Sequence, residues 1–286
     1  MKNLFITLLL VALAAVSTAA KGKDNPRAEI KAGYNYHRIS MRGGDGVVIE
    51  RDIPFVLLAN RSESKFFSPH TEYLDSLHST PSGRALADNM LHAAIMKYCE
   101  NRDESVMSGV VYKTQMYVFK SRTRGEYDVY DYVGMTGNFR YTEPLDEIAW
   151  EIADSTRTIL GYECQAASAL YHGRRWTAWF APEIPVAEGP WKLHGLPGLI
   201  LEACDESGQH HFTATGIEAS DREIVPVYDL SRFDKITRIE MLRMERNAHS
   251  NGKAMIKAQI DLDLGPDAPV TEETLRYDFL ETDYHE

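Results

Sequence analysis

Several groups of residues in this 286-residue chain have types and spacings that could do chemistry. Ser62-Glu63-Ser64-Lys65 fits S-x-x-K, the nucleophile pattern of penicillin-recognising enzymes. No K-T-G accompanies it, and two fixed positions match easily by chance, so an exposed polar loop is the simpler reading. Cys164 could be a nucleophile with one of ten histidines as its base, or a small buried hydrophobe in a strand. His210-His211 offers two imidazoles, but alternation along a strand sends them to opposite faces. Only one could join His194 or His172 around a metal. Asp261, Asp263, Asp267 and Glu272 fall at ligand positions of a calcium loop, yet Pro266 stands where such a loop requires glycine. An acidic surface turn fits better. G-x-S-x-G, H-E-x-x-H, P-loop and G-x-G-x-x-G patterns are all missing from the sequence. No catalytic residue, metal or cofactor is therefore assigned.

The remaining group is aromatic. Trp176, Trp179, Phe180 and Trp191 cluster around a loop carrying Pro182, Pro185, Pro190 and Pro197. Gly195-Leu196-Pro197-Gly198 closes that loop. Two readings stay open: a core with a packed loop, or an apolar groove at the rim of a curved sheet that binds a ligand through these residues. Pro197 suits position i+1 of a type II turn, which places Gly198 at i+2 with a positive φ. Leu196 is then a packing anchor, and Gly195 is where bare backbone could approach a ligand.

The elements that must position these residues are mainly strands. Ala28–Ser40 and Ile53–Leu58 read as a first pair around a Gly43–Gly46 turn. The region from Ser62 to Gly83 is polar. Arg84–Glu100 carries Ala87, Met90, Leu91, Ala94 and Tyr98 at the spacing of one helical face. Val110–Lys120 and Tyr127–Val133 are rich in Tyr and Val. Ile148, Trp150 and Ile152 alternate as in a half-buried strand. Tyr162–Tyr171 and Arg174–Ala181 form a hairpin about His172-Gly173, with Trp176, Ala178 and Phe180 on one face and Thr177 and Trp179 on the other. Leu199–Cys204 and the stretch around Phe212 and Ala214 follow as strands. Ile236–Ala248 suits a helix, Ile256–Leu264 a strand, and the acidic end a loose tail. The fold expected is mainly β: an antiparallel meander curved into an open or half barrel, with a few helices.

The N-terminus has Lys2, an apolar run from Leu4 to Val16 too short to span a bilayer, and small residues at Ser17–Ala20. This is the pattern of a cleaved signal peptide over residues 1–20, leaving a single domain over 21–286. Loss of Lys2 takes the formal charge from −11 to −12. Such a chain repels nucleic acid and anionic lipid surfaces. Cys99, Cys164 and Cys204 are an odd set for an oxidising compartment and do not form a zinc pattern. With the hairpin above, Cys164 and Cys204 fall too far apart to bridge.

Trp150-Glu151-Ile152, Gly161–Gln165, Gly173–Trp179, Pro182–Pro185, Gly189–Trp191 and Gly195–Ile200 follow one another as a set of motifs. In order and spacing the set resembles the GLPGLI family of exported Gram-negative proteins, over roughly Ile53 to Ile217. Ala166 stands where that pattern often has Lys. The resemblance implies a periplasmic or cell-envelope protein and no particular reaction. Together with the aromatic cluster it leads to one expectation: a non-enzymatic exported protein that binds an apolar ligand, or a segment of a lipid, lipoprotein or peptide. Two alternatives stay open: an envelope hydrolase or peptidase whose site the motifs do not reveal, and a structural partner of an outer-membrane protein complex.

Overall fold

The Arg174–Ala181 stretch shows how the molecule is built. Trp176, Ala178 and Phe180 are fully buried while Arg175 and Thr177 face out, as a period of two requires. The structure, a computed structural model, describes residues 25–41, 48–133, 136–250 and 279–283. The expected signal peptide, the Gly43–Gly46 turn, the Ile256–Leu264 strand and the acidic loop from Asp261 to Glu272 lie outside these residues.

Strands and helices alternate in blocks. The first block is β1 (Ile30–Met41), β2 (Val48–Ala59), β3 (Glu63–Phe67), α1 (Pro69–His78), α2 (Pro81–Asn101), β4 (Tyr117–Ser121), β5 (Glu126–Val133) and β6 (Gly137–Pro144). The second is β7 (Glu151–Ile159), β8 (Tyr162–Tyr171), β9 (Arg174–Ala181), β10 (Leu199–Asp205) and β11 (His210–Ala219). The short β12 (Asp234–Lys235) and the helix α3 (Arg238–Ser250) follow. Among the described residues one sheet contains all twelve strands, in the order β12-β6-β5-β4-β3-β2-β1-β11-β10-β9-β8-β7. Every pairing is antiparallel except the two-residue β12–β6 ladder. Two meanders thus meet where β11 pairs with β1. The mainly β, open meander expected from the sequence is the fold.

Chain length forces the sheet to curl. Residues Leu145 to Trp150 alone connect β6 to β7. That link reaches about 24 Å at most. In a flat sheet β6 and β7 would lie about 48 Å apart, ten strand spacings. The ends of the sheet must therefore approach each other, although they share no ladder. Tyr127 Oη of β5 accordingly lies 3.3 Å from His172 Nε2 of the β8–β9 turn.

The concave side is filled by the long loop 182–198. Val186, Trp191, Lys192, Leu193, His194 and Leu196 are all buried there. The loop is held by Lys120, an inward residue of β4. Its Nζ donates to the carbonyls of Gly189 (3.1 Å), Trp191 (3.1 Å) and Leu193 (2.9 Å) and pairs with Glu188 at 2.9 Å. Ser64 Oγ donates to the same carboxylate at 3.0 Å. The S-x-x-K stretch is therefore a buried strand rather than an exposed loop: Lys65 leaves by the convex face and pairs with Glu72 of α1 at 2.5 Å. That pairing is what lets two charged residues stay under cover.

Other expectations shift at their edges. The helix expected over 84–100 is α2, but it buries only Ala87 and Ala94, and Leu91 is exposed, because α2 stands off the sheet beyond α1. The alternating strand around Trp150 begins later, as β7. It is the terminal strand of the sheet, so Ile152 is 50% exposed instead of half-buried. In the acidic end, Phe279 and Glu281 are buried, so residues 279–283 are docked and not loose.

Candidate functional site

The loop closure differs from the expected type II turn. Gly198 N donates to Leu196 O at 2.8 Å, a three-residue turn centred on Pro197. The positive φ belongs to Gly195, at 92°, and not to Gly198. Glycine is needed at 198 for a different reason. A Cβ there would sit 2.2 Å from Ala181 O and 2.9 Å from Pro182 Cα, so the two backbones touch as β10 begins beside the end of β9. At Gly195 a Cβ would meet only Trp150 Nε1, at 4.0 Å. That indole donates to His194 O at 2.8 Å.

The aromatic cluster divides between two faces. Trp176, Phe180, Trp191 and Leu196 are all in the core, with Trp176 and Trp191 rings 5.6 Å apart. Trp179 points outward and carries the Arg157 guanidinium over its ring at 4.1 Å. Pro197 and Gly198 shape backbone. Of the eight residues expected to line a groove, Trp191 alone borders the cavity beneath α3.

That cavity, of about 380 Å³, lies between the concave face, the 112–116 segment, α3 and residues 280–281. Its apolar wall includes Tyr36, Ile53, Met116, Val129, Trp191, Met241 and Leu280. Its polar wall includes Arg38, Lys113, Asp131, His210, Glu245 and Glu281. Burial pushes the Asp131 carboxyl up to about 7. Burial also pushes Glu245 up to about 8, with the Asp131 charge adding to the effect. Near neutral pH the wall therefore holds part of its protons, and a carboxylic acid there can donate as well as accept a hydrogen bond.

Behind Trp191 the charges close into a network. Lys192 Nζ pairs with Glu281 at 2.5 Å, under the ring faces of Tyr127, Tyr141 and Trp191. Arg238 of α3 contacts Glu143 (3.1 Å), Glu281 (2.9 Å) and Asp283 (2.7 Å). His172 Nδ1 lies 3.3 Å from Asp283. Burial lowers the basicity of His172, and the nearby Lys192 lowers it further. Burial alone would raise Glu281, but Lys192, His172 and Arg238 outweigh it and hold the carboxyl below its ordinary range. His172, Glu281 and Asp283 are a donor set of the kind that holds metals. Here Lys192 and Arg238 already neutralise both carboxylates and would repel a dication, so the set reads as an ion-pair network.

The other chemical candidates are accounted for. Cys164 is buried in β8, with a thiol pushed up by burial, so it behaves as a hydrophobe. All three cysteines are free, as expected for Cys164 and Cys204. His210 faces inward, 2.6 Å from Tyr36 Oη, while His211 faces out onto Glu202 at 3.1 Å. Sequence reasoning missed Lys192, Glu281, Asp283, Arg238, Asp131 and Glu245. Lys192 carried a signal, as a lone charge between Trp191 and Leu193. Glu281 had none, because its partner is 89 residues away.

A family model described as "Protein of unknown function (Porph_ging)" matches residues 171–202, the block from the β8–β9 turn to β10. This block holds four of the motifs that carried the GLPGLI resemblance, although the family carries a different name. No curated protein sequence matches the chain. Among solved structures, PNGF-II is 13% identical with a TM-score of 0.47, over 78% of this chain and 34% of that one. This chain thus spans about a third of PNGF-II. A putative outer membrane lipoprotein-sorting protein domain from Vibrio parahaemolyticus is 6% identical, with a TM-score of 0.24 over 66% of this chain and 85% of that one. A DUF1329 family protein from Desulfovibrio piger is 8% identical, with a TM-score of 0.21 over 72% of this chain and 92% of that one. These scores are too low to equate the folds.

Proposed function

We propose that the protein is a non-enzymatic binding protein of the cell envelope, exported by its N-terminal signal, which holds the apolar part of a small amphiphilic ligand in the cavity beside Trp191. The supporting observation is the cavity itself. Its volume of about 380 Å³ falls in the range of small-ligand sites, and apolar side chains line one wall and a few convergent polar groups the other. The wall offers a tyrosine–histidine pair in Tyr36 and His210, but Tyr36 is buried and its hydroxyl is pushed well above the ordinary tyrosine range, so it holds its proton. That disfavours Tyr36 as a nucleophile.

Native mass spectrometry of protein purified from its own periplasm should show a co-purifying mass, absent from Val129→Trp protein with an unchanged circular dichroism spectrum. Val129 is on the cavity wall, so a bulky ring there fills the space. Apo protein from that source, with no capture of acyl probes, would count against the reading. The filled concave side favours a second reading, a structural partner in an outer-membrane complex. Co-purifying membrane protein without a small ligand is its signature.

A further inference from the structure

Residues 279–283 make an unusual set of contacts for a segment of five residues. The segment is neither strand nor helix. Its Phe279 ring is buried, and its carbonyl accepts from the guanidinium of Arg174. Glu281 enters the Lys192 site and Asp283 spans His172 and Arg238. The backbone adds one bond, Thr282 N donating to His172 O at 3.1 Å. The groups that hold the segment come from four places: the imidazole of the β8–β9 turn, and the cations of the start of β9 (Arg174), the long loop (Lys192) and α3 (Arg238). They are already packed by their own surroundings: Arg174 is paired with Asp205 at 2.7 Å and Lys192 is roofed by aromatic rings. In a chain with a net charge of −11, three cations converge here in a groove, Arg174 and Arg238 each with a carboxylate of the body beside it and Lys192 paired, among the described residues, with Glu281 alone, and the occupant is an acidic segment led by an aromatic residue. An extended peptide held by side-chain anchors and few backbone bonds is a mode of partner recognition.

We propose that this groove is a peptide-recognition site and that residues 279–283 occupy it as an intramolecular ligand. The partner is an acidic chain segment of another protein with the same layout, an aromatic residue followed at the second and fourth positions by carboxylates. Because Leu280 and Glu281 also border the cavity, displacement of the segment opens one cavity wall. The inference is independent of any small molecule in the cavity, and its test uses no cavity ligand.

The test uses the full chain. Fluorescent peptide YDFLETDYHE, the sequence of residues 277–286, is titrated into wild-type protein and into Glu281→Gln/Asp283→Asn protein. Amide exchange at Thr282 reports whether the segment has left the groove. The wild-type chain should bind weakly, since its own segment competes at high effective concentration. The double variant should expose Thr282 and bind the peptide at least tenfold more tightly. A peptide with the same two acids replaced by amides should not bind. A released segment with no gain in peptide binding overturns the inference. So does a double variant that loses cooperative folding, or one whose segment stays docked, because then the segment is part of the core. Failure here together with a ligand in the native mass spectrum leaves the cavity reading standing.

Discussion

Lys120 and Lys192 are both fully buried, about as far from water as a lysine can be, and the fold treats them in opposite ways. The ammonium of Lys120 is enclosed by one short stretch of chain: the carboxylate of Glu188 and the carbonyls of residues 189, 191 and 193. The ammonium of Lys192 rests on ring faces and depends for its counter-charge on Glu281, from a segment at the other end of the chain. A buried charge is tolerable when its partners are supplied with it. Lys120 has that guarantee from the loop it pins. For Lys192 the partner can depart, and the rings and Arg238 soften the consequence. One lysine is a fastener, the other a receptor for something that binds.

The largest test of this contrast replaces each ammonium by an isosteric apolar chain. Lys120→Met should cost about 3–5 kcal/mol, since Glu188 and three carbonyls lose a buried donor. Lys192→Met should cost no more than about half of that, because Glu281 keeps Arg238 and the whole segment can move into water. Urea unfolding of both variants measures the difference. Equal losses would break the comparison and make Glu281 as permanent a partner as Glu188.

Gly198 and Gly195 sharpen it within the loop. Gly198→Ala should cost about 3 kcal/mol, as its new methyl meets the Ala181–Pro182 backbone at under 3 Å. Gly195→Ala should cost about 1–2 kcal/mol from the positive φ alone, since open space surrounds that position. Melting curves that rank the two the other way would mean the turn, and not the backbone contact, governs how the loop closes.

The β8–β9 hairpin was legible because its signals are local. His172 and Gly173 both take positive φ, 49° and 79°, the two-residue turn their types suggest, and the apolar alternation of β9 follows at once. Leu199–Cys204 was legible as a strand for the same reason. What stayed hidden was non-local. Gly198 carries a sequence signal for a turn, but its glycine answers to the backbone of Ala181. For Trp176 and Trp191 core and groove both stayed open, because aromatic clustering does not distinguish a wall from a core; Trp176 is core, and Trp191 is core and cavity wall at once. Glu281 sits in an acidic end that composition alone reads as loose. Its burial rests on cations from distant strands and a loop, which no periodicity reveals.

Proton linkage separates the docked segment from the cavity wall and gives the smallest effect. Glu281 and Asp283 are held below their ordinary values, burial being outweighed by Lys192, His172 and Arg238. For such groups the stabilisation is complete above the unfolded carboxylate value, about 4, and is lost as pH falls through the lower folded values. Asp131 and Glu245 carry the opposite sign. Burial raises them to about 7 and about 8, so what their protonated forms contribute is complete below the unfolded value, about 4, and is lost as pH rises from there through the folded values. Arg38 and Glu281 face the same cavity and modulate the Glu245 step. Stability plotted against pH should therefore peak at about pH 4 and fall on both sides. Glu245→Gln should flatten the alkaline fall without touching the acid one, and Asp283→Asn should do the reverse. A single variant that flattened both limbs would show that the segment and the wall titrate as one unit, and the distinction between fastener and receptor would have to be drawn elsewhere.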